Sequence, residues 1–367
     1  MVKILLENIT KIFDGKVEAV KNFSLNIADK QITSLLGPSG CGKTTLMRII
    51  SGLETPTKGR VYFDGNDVTD VSARDRNIAM VFQFPVVYPT MSVYDNIAYP
   101  LRLRKEPKEE IDGRVREIAK TFTLTEVLGQ GPSSLDLATK QKVALARTLV
   151  RQPSAYLLDE PLTNLDPAVR VEMRTILKRF TSELNQTMVY VTHDQAEALT
   201  LSDKIAVMRS GELLQFDTPE AVYRDPGDKF TGWFLGNPGM NFIDGTYTES
   251  REGAFVEASG FRYDLADLTK QRIGVAELTK GLEISIGVRP EYVEVGKERE
   301  DKDWVKSKCS LVEPVGARTL LYLEAGNQNL TAKTSMDVKF AEGEPVWFHL
   351  PTRHVHIYDK KTGKLIV

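Results

Sequence analysis

The stretch ITSLLGPSGCGKTTLMRII, residues 32–50, decides the fold. Its opening, ITSLLG (32–37), is an aliphatic run of strand length, and its close, LMRII, continues as a helix. Between them Gly37, Pro38, Ser39, Gly40, Cys41, Gly42, Lys43, Thr44 and Thr45 fit the phosphate-binding pattern G-x-x-x-x-G-K-[ST]. Glycines let backbone N–H groups close around phosphate oxygens, and the helix that follows aims its positive end at them. Lys43 is placed to neutralise the β- and γ-phosphates, and the Thr44 hydroxyl to ligate Mg²⁺.

Working outward, short apolar runs alternate with helical patterns up to about residue 235, which predicts βαβ units on a parallel sheet. AYLLDE (155–160) and MVYVTH (188–193) read as further buried strands. Val169, Met173, Ile176, Phe180 and Leu184 form one apolar helical stripe between them, with Asp166 as its cap and Pro167 in its first turn. Asp64-Gly65 reads as a hairpin turn, and about residues 85–150 as a helical subdomain. In AYLLDE, Asp159 ends a strand and can hold a metal through its water shell. Glu160 is placed to polarise a water for attack on a γ-phosphate. Around GNPGMNF (236–242) the texture changes to short strands and turns, which predicts a small all-β barrel over 237–367.

The balance of the chain agrees. At about 150 residues per domain, 367 residues predict two or three domains. Lysine and arginine number 48 against 50 acidic residues, which excludes nucleic-acid binding through bulk positive charge. No apolar run is long enough to span a membrane, and the N-terminal residues lack a secretory pattern. Two distant cysteines, Cys41 and Cys309, exclude a disulfide framework. The expectation is a cytosolic, multi-domain protein.

On these residues the chain resembles the ATP-binding subunits of ABC transporters, in the carbohydrate-importer (maltose ATPase-like) class, over essentially its whole length. The resemblance implies an α/β P-loop domain over 1–236 with a helical subdomain, followed by a transport-associated oligonucleotide-binding-like barrel. It implies ATP with Mg²⁺ and hydrolysis by Glu160 and His193, the histidine of VTHDQAEAL (191–199). Gln83 in MVFQFP resembles the glutamine that senses Mg²⁺ and the γ-phosphate, and Phe13 the aromatic that stacks on adenine. Asp166 in TNLDP resembles the residue that faces a dimer partner. Each has a plainer reading: Gln83 as a polar loop residue, His193 as a strand-end histidine, Phe13 as core, Asp166 as a helix cap.

One motif departs from the pattern. Where the family has LSGGQ, this chain has Leu135-Asp136-Leu137-Ala138-Thr139. In the family that tip closes on ATP held by the other subunit. Asp136 would set a carboxylate against the γ-phosphate, and at about 5 Å with an effective dielectric near 20 the repulsion is about 3 kcal/mol per unit charge. Leu137 adds a side chain where close backbone approach is needed. The resemblance therefore implies a heterodimer with a different ATPase subunit, whose intact signature would complete the site at Lys43. Alternatively, the chain is a regulatory subunit that binds nucleotide with little hydrolysis. The remaining implied partners are two transmembrane permease subunits, which would hold the chain peripherally at the cytoplasmic face of the inner (plasma) membrane, and, indirectly, a solute-binding protein. No nucleic acid is expected. The apolar stretch FPVVYPTMSVYDNIAYP (84–100) is expected to receive a permease helix, and the solute to be a sugar or a glycerol-like polyol. His349, His354 and His356 invite a metal reading in the barrel, with His354 and His356 on one strand face, yet no cysteine completes a ligand set.

Overall fold

The computed structural model describes residues 2–367 except 185, 251–252, 259–260, 266–277, 302 and 338, and no side chains for 181–184 or Ser250. Contacts divide the chain into two compact units, Met1–Glu220 and Ala221–Val367. The division falls ahead of the glycine-rich stretch 236–242.

The first unit holds two sheets. β1 (Ile4–Phe13), β2 (Val17–Ile27), β4 (Lys58–Phe63) and β5 (Asn66–Asp67) make an antiparallel sheet in the order β2-β1-β4-β5. Asp64 and Gly65, at φ 48° and 81°, form the tight turn that joins β4 to β5. The larger sheet runs β10-β9-β3-β8-β7-β6. Its strands are β3 (Ile32–Leu36), β6 (Ile78–Val81), β7 (Ala155–Asp159), β8 (Thr187–Thr192), β9 (Lys204–Arg209) and β10 (Glu212–Asp217). All pair in parallel except edge strand β10. β3, β7 and β8 are buried along their whole length, as the aliphatic runs require of strands covered on both faces.

α1 (Lys43–Ser51) follows β3 directly. Its apolar residues Leu46, Met47, Ile49 and Ile50 are buried with Val20, Cys41 and Leu157 in one core cluster. Arg76, itself buried, holds the far end of α1: Nη1 donates to the Ile49 and Ile50 carbonyls at 2.7 and 2.8 Å, Nε to Val71 and Nη2 to Thr69. Helix-end carbonyls that water cannot reach are thereby satisfied.

The helical subdomain comprises α2 (Val93–Leu103), α3 (Lys108–Thr121) and α4 (Leu137–Leu149). α5 (Pro167–Leu184) has the boundaries read from its stripe, and Val169, Met173, Ile176 and Phe180 all pack into the core there. Leu184 lies outside the described side chains. α6 (Gln195–Leu201) follows β8.

The second unit is β-rich, with α7 (Pro219–Arg224) running into it and α8 (Lys229–Phe234) at its start. One sheet is β13-β12-β11-β14-β20, from β11 (Asn241–Ser250), β12 (Gly253–Ala258), β13 (Phe261–Asp264), β14 (Glu283–Val288) and β20 (Val355–Asp359). The other is β15-β19-β16-β17-β18, from β15 (Glu294–Gly296), β16 (Val305–Val315), β17 (Arg318–Ala325), β18 (Gln328–Ser335) and β19 (Pro345–His349). Both contribute to one apolar core that includes Ile243, Ile286, Leu321, Phe348 and Ile357. Arg289 plays the part in this unit that Arg76 plays in the first: it is buried, lies over the Tyr223 ring, and donates to the Tyr223 and Leu235 carbonyls.

Replacing Arg76 by Met takes the guanidinium donors from those four carbonyls, of which Ile49 keeps a bond from the Gly52 N–H, and should cost about 2–4 kcal/mol. All three tryptophans, Trp233, Trp304 and Trp347, lie in the second unit. Urea titration of Arg76→Met should move the far-UV circular dichroism transition to lower denaturant and leave the tryptophan fluorescence transition in place.

Candidate nucleotide site

The loop between β3 and α1 has the conformation its sequence demands. Gly40 and Gly42 sit at φ 79° and 103°, in the left-handed region that glycine enters freely. A Cβ on Gly42 would meet the Ala19 carbonyl oxygen at 2.3 Å, and one on Gly37 would meet that of Met208 at 2.3 Å. Two flanking strands thus press directly on the loop backbone. Lys43 Nζ turns back over the loop and donates to the Gly37 and Pro38 carbonyls at 2.7 and 2.9 Å, with Cys41 Sγ at 3.9 Å. Burial pushes the Cys41 thiol above its ordinary pKa, so it stays protonated and serves as packing.

Thr44 Oγ1 donates to Asp159 Oδ1 at 3.1 Å, which brings together the hydroxyl and carboxylate read from separate motifs. Burial raises the Asp159 pKa, and the Thr44 hydrogen bond opposes that shift. A hydroxyl and a carboxylate beside a phosphate loop are hard oxygen donors, the set that suits Mg²⁺.

Glu160 follows at φ 44°, a left-handed conformation rare outside glycine, with its N–H bonded to the Val191 carbonyl at 2.9 Å. Its Oε2 faces His193 Nδ1 at 3.0 Å and accepts from Thr163 Oγ1 at 3.2 Å. Both contacts fall on one oxygen. The acidic residue and the histidine of two distant motifs therefore meet in space.

Phe13 ends β1 and is 36% exposed, with Lys11 Nζ 5.0 Å from its ring centroid. It is no core residue. Gln83 is exposed in the segment after β6, and its carbonyl accepts from Asn164 Nδ2 at 3.1 Å. Asp166 caps α5 by accepting from the Val169 N–H at 3.1 Å.

At the altered tip, Asp136 is the N-cap of α4. Its side chain accepts from the Thr139 N–H at 2.7 Å, and that bond holds the carboxyl below the usual aspartate pKa. Leu137 stands 49% exposed in the first turn. Ala138 and Thr139 complete that turn. The tip is a capped helix start that presents a carboxylate and an isobutyl group.

Several positions that the motifs do not reveal also belong here. Gln141 of α4, buried, donates to the Pro161 carbonyl at 2.7 Å, and Asn164 ties the same loop to Gln83. A glutamine on the apolar side of a helix is the one signal that could have exposed the first. The three histidines do not gather. His354 lies in a three-ten turn (Thr352–His354), not on the strand face expected for it, and stacks on Tyr292 at 3.8 Å. His356 Nε2 faces Asp225 and His349 Nδ1 faces Glu294, each at 3.1 Å. Among the described residues no cluster of three or more acidic, histidine or cysteine side chains could hold a metal.

Comparison with known proteins completes the picture. Residues 20–163 match the ABC transporter family model, 236–293 the MalK OB fold domain and 286–357 the TOBE domain. The trehalose/maltose import ATP-binding protein MalK of Thermococcus litoralis is 41% identical over the full length of both chains. The chain is an ABC transporter ATP-binding protein of the MalK carbohydrate-importer class. Its fold is the P-loop ABC ATPase domain followed by MalK-type OB and TOBE β domains, and its activity is that of an ABC transporter ATPase. The oligosaccharides import ATP-binding protein MsmX of Bacillus subtilis is 38% identical, over 99% of both chains. The sn-glycerol-3-phosphate import ATP-binding protein UgpC of Pectobacterium atrosepticum is 37% identical over the same share. Among solved structures, cbiO1 from Clostridium perfringens has a TM-score of 0.55 at 28% identity, covering 60% of this chain and 89% of its own. The dimeric ATP-binding cassette MJ0796, bound to ADP and Pi, has a TM-score of 0.54 at 30% identity, covering 59% and 98%. No described helix of this ABC ATPase is long and apolar enough to cross a membrane.

Because serine also caps helices well, Asp136→Ser should leave stability within about 0.5 kcal/mol, whereas Asp136→Ala should lose about 1 kcal/mol. Thermal melts of the two variants, compared with the parent chain, check this.

Proposed function

We propose that this ATPase drives import of a sugar or a glycerol-like polyol, as one half of an ATPase heterodimer. The importer reading is supported by its relatives, which are named for import of trehalose and maltose, oligosaccharides and glycerol 3-phosphate. The single observation behind the heterodimer is the contrast between the two halves of the machinery. Thr44 bonds Asp159 beside the loop that Lys43 closes over, and Glu160 bonds His193. Asp136 and Leu137 occupy the signature tip.

In this reading Phe13 stacks on the base, and Gly37, Pro38, Ser39, Gly40, Cys41, Gly42, Thr44 and Thr45 line the phosphates, all but Pro38 through backbone N–H groups. Lys43 leaves the loop carbonyls to meet the β- and γ-phosphates. Thr44 and Asp159, with Gln83, would hold Mg²⁺, which supplies charge neutralisation at the transferred phosphate. Glu160 orients the attacking water through Oε1 and accepts its proton. His193, hydrogen-bonded to Oε2, steadies the carboxylate and contacts the γ-phosphate. Asp166 and residues 136–139 face the partner ATPase.

The membrane contact is proposed at the helical subdomain. Phe82, Phe84, Val86, Tyr88 and Leu103 are exposed, and Met80, Tyr99, Pro100, Leu103 and Arg147 line an adjoining cleft of about 230 Å³. Residues around Tyr88 are held by Asn96, whose Oδ1 accepts from the Tyr88 N–H at 2.7 Å, and by Arg147 stacked on the Tyr88 ring. A cleft of this kind, flanked by exposed apolar side chains, suits a helix from a permease subunit, and that contact would hold the chain at the cytoplasmic face of the membrane.

Coexpression with the candidate permeases and a second ATPase subunit gives the test. The complex should hydrolyse ATP, Glu160→Gln should lower its turnover by at least about a hundredfold, and the same complex built on this chain alone should be nearly inactive. Full turnover without a second ATPase would overturn the heterodimer. Turnover indifferent to Glu160→Gln would favour a regulatory, nucleotide-binding role.

A further inference from the structure

We infer that Arg170 is a positioning residue that fastens the loop 161–166 to the loop that carries His193, and so sets the geometry of Glu160. The inference rests on the proposed roles of Glu160 and His193. Arg170 lies in the first turn of α5, where its N–H bonds the Asp166 carbonyl at 2.9 Å. Its side chain folds back across the loop that precedes the helix. Nη2 donates to the Leu165 and Thr163 carbonyls at 3.1 and 3.4 Å, and Nη1 reaches Asp194 Oδ2 at 3.5 Å.

Asp194 is itself well anchored. Its Oδ1 caps α6 by accepting from the Glu197 N–H at 3.1 Å, and its own N–H donates to Thr192 Oγ1 at 2.9 Å. Glu197, only 2% exposed, accepts from Thr192 Oγ1 and Tyr190 Oη at 2.8 Å each. His193 therefore sits between two residues pinned from inside by Glu197, and Arg170 braces them from the other side.

The contacts close a circuit. Glu160 Oε2 meets Thr163 Oγ1, the Thr163 carbonyl meets Arg170, Arg170 meets Asp194, and the next residue back, His193, returns to Glu160 Oε2. Besides Glu160 itself, whose Oε2 meets both Thr163 and His193, Arg170 has a side chain bonded to both loops. A guanidinium suits the task because its planar fork can serve two carbonyls and a carboxylate at once, which a lysine ammonium cannot do in fixed directions. Asp166, three residues from Thr163, is the residue proposed to face the partner. Displacement of that loop on closure would pass through Arg170 to His193 without any contact to nucleotide.

The test uses Arg170→Met, Arg170→Lys, Asp194→Asn and the Arg170→Met/Asp194→Asn double variant in the assembled transporter. Asparagine keeps a capping oxygen for α6 but drops the charge that Arg170 meets. Each single change to Met or Asn should lower kcat about tenfold and leave the KM for ATP within about twofold, and the double variant should be no slower than the slower single. Arg170→Lys should recover part of the loss. Hydrogen exchange of the purified full chain gives a readout independent of turnover: Arg170→Met should speed exchange in both 161–167 and 191–196. Wild-type kcat in Arg170→Met, multiplied losses in the double variant, or exchange altered in one loop alone would overturn the inference. If Glu160→Gln leaves turnover unchanged, the reading of the site has failed instead, and the exchange result still decides for or against the tie.

Discussion

Backbone crowding at the phosphate loop is the constraint on which the rest depends. The Ala19 carbonyl stands where a Cβ of residue 42 would be, and the Met208 carbonyl where one of residue 37 would be. With glycine at both places, β2 and β9 pack directly on the loop, and the loop N–H groups are aimed by the sheet. The remaining parts of the site inherit that fixed origin. α1 leaves from Lys43 in a set direction, its far end is held by Arg76, and Thr44 meets Asp159 at the end of β7. In a phosphate site built this way the sheet, not a ligand, sets the direction of the loop backbone, which suits electrostatic stabilisation by fixed dipoles.

Most of this was legible in the sequence because local rules and tertiary demands agree there. The strands β3, β7 and β8 are aliphatic runs because both faces are covered, and α5 announces both its cap and its stripe. Asp159 and Glu160 could be picked out because they end such a strand. The circuit around Glu160 was not legible. Thr163, Arg170, Asp194 and Gln141 are polar residues of ordinary appearance, and the bonds that matter run through backbone carbonyls, which sequence does not mark. The histidines of the second unit err the other way. Proximity in sequence suggested proximity of rings, but a three-ten turn at Thr352–His354 rotates one of them onto Tyr292.

The signature tip shows how one residue satisfies folding while changing what a surface presents. An aspartate at a helix N-cap answers orphan N–H groups as well as a serine does, and its charge suits the helix dipole. α4 is therefore kept intact, with Gln141 still bonded beneath Glu160 through Pro161. The altered chemistry is confined to the exposed side of the first turn, where Asp136 and Leu137 stand.

The backbone at Glu160 carries a further consequence. A glutamate held at φ 44° runs against its own local preference by about 1 kcal/mol, and the Val191 carbonyl bond to its N–H offsets that cost. Glycine or asparagine would relax the turn but lack a carboxylate, and a β-branched residue would fit neither demand. Backbone preference and the role proposed for the Glu160 carboxylate thus pull this position in opposite directions. The hydrogen bond to Val191, and not the side chain's own preference, holds the carboxylate in that turn.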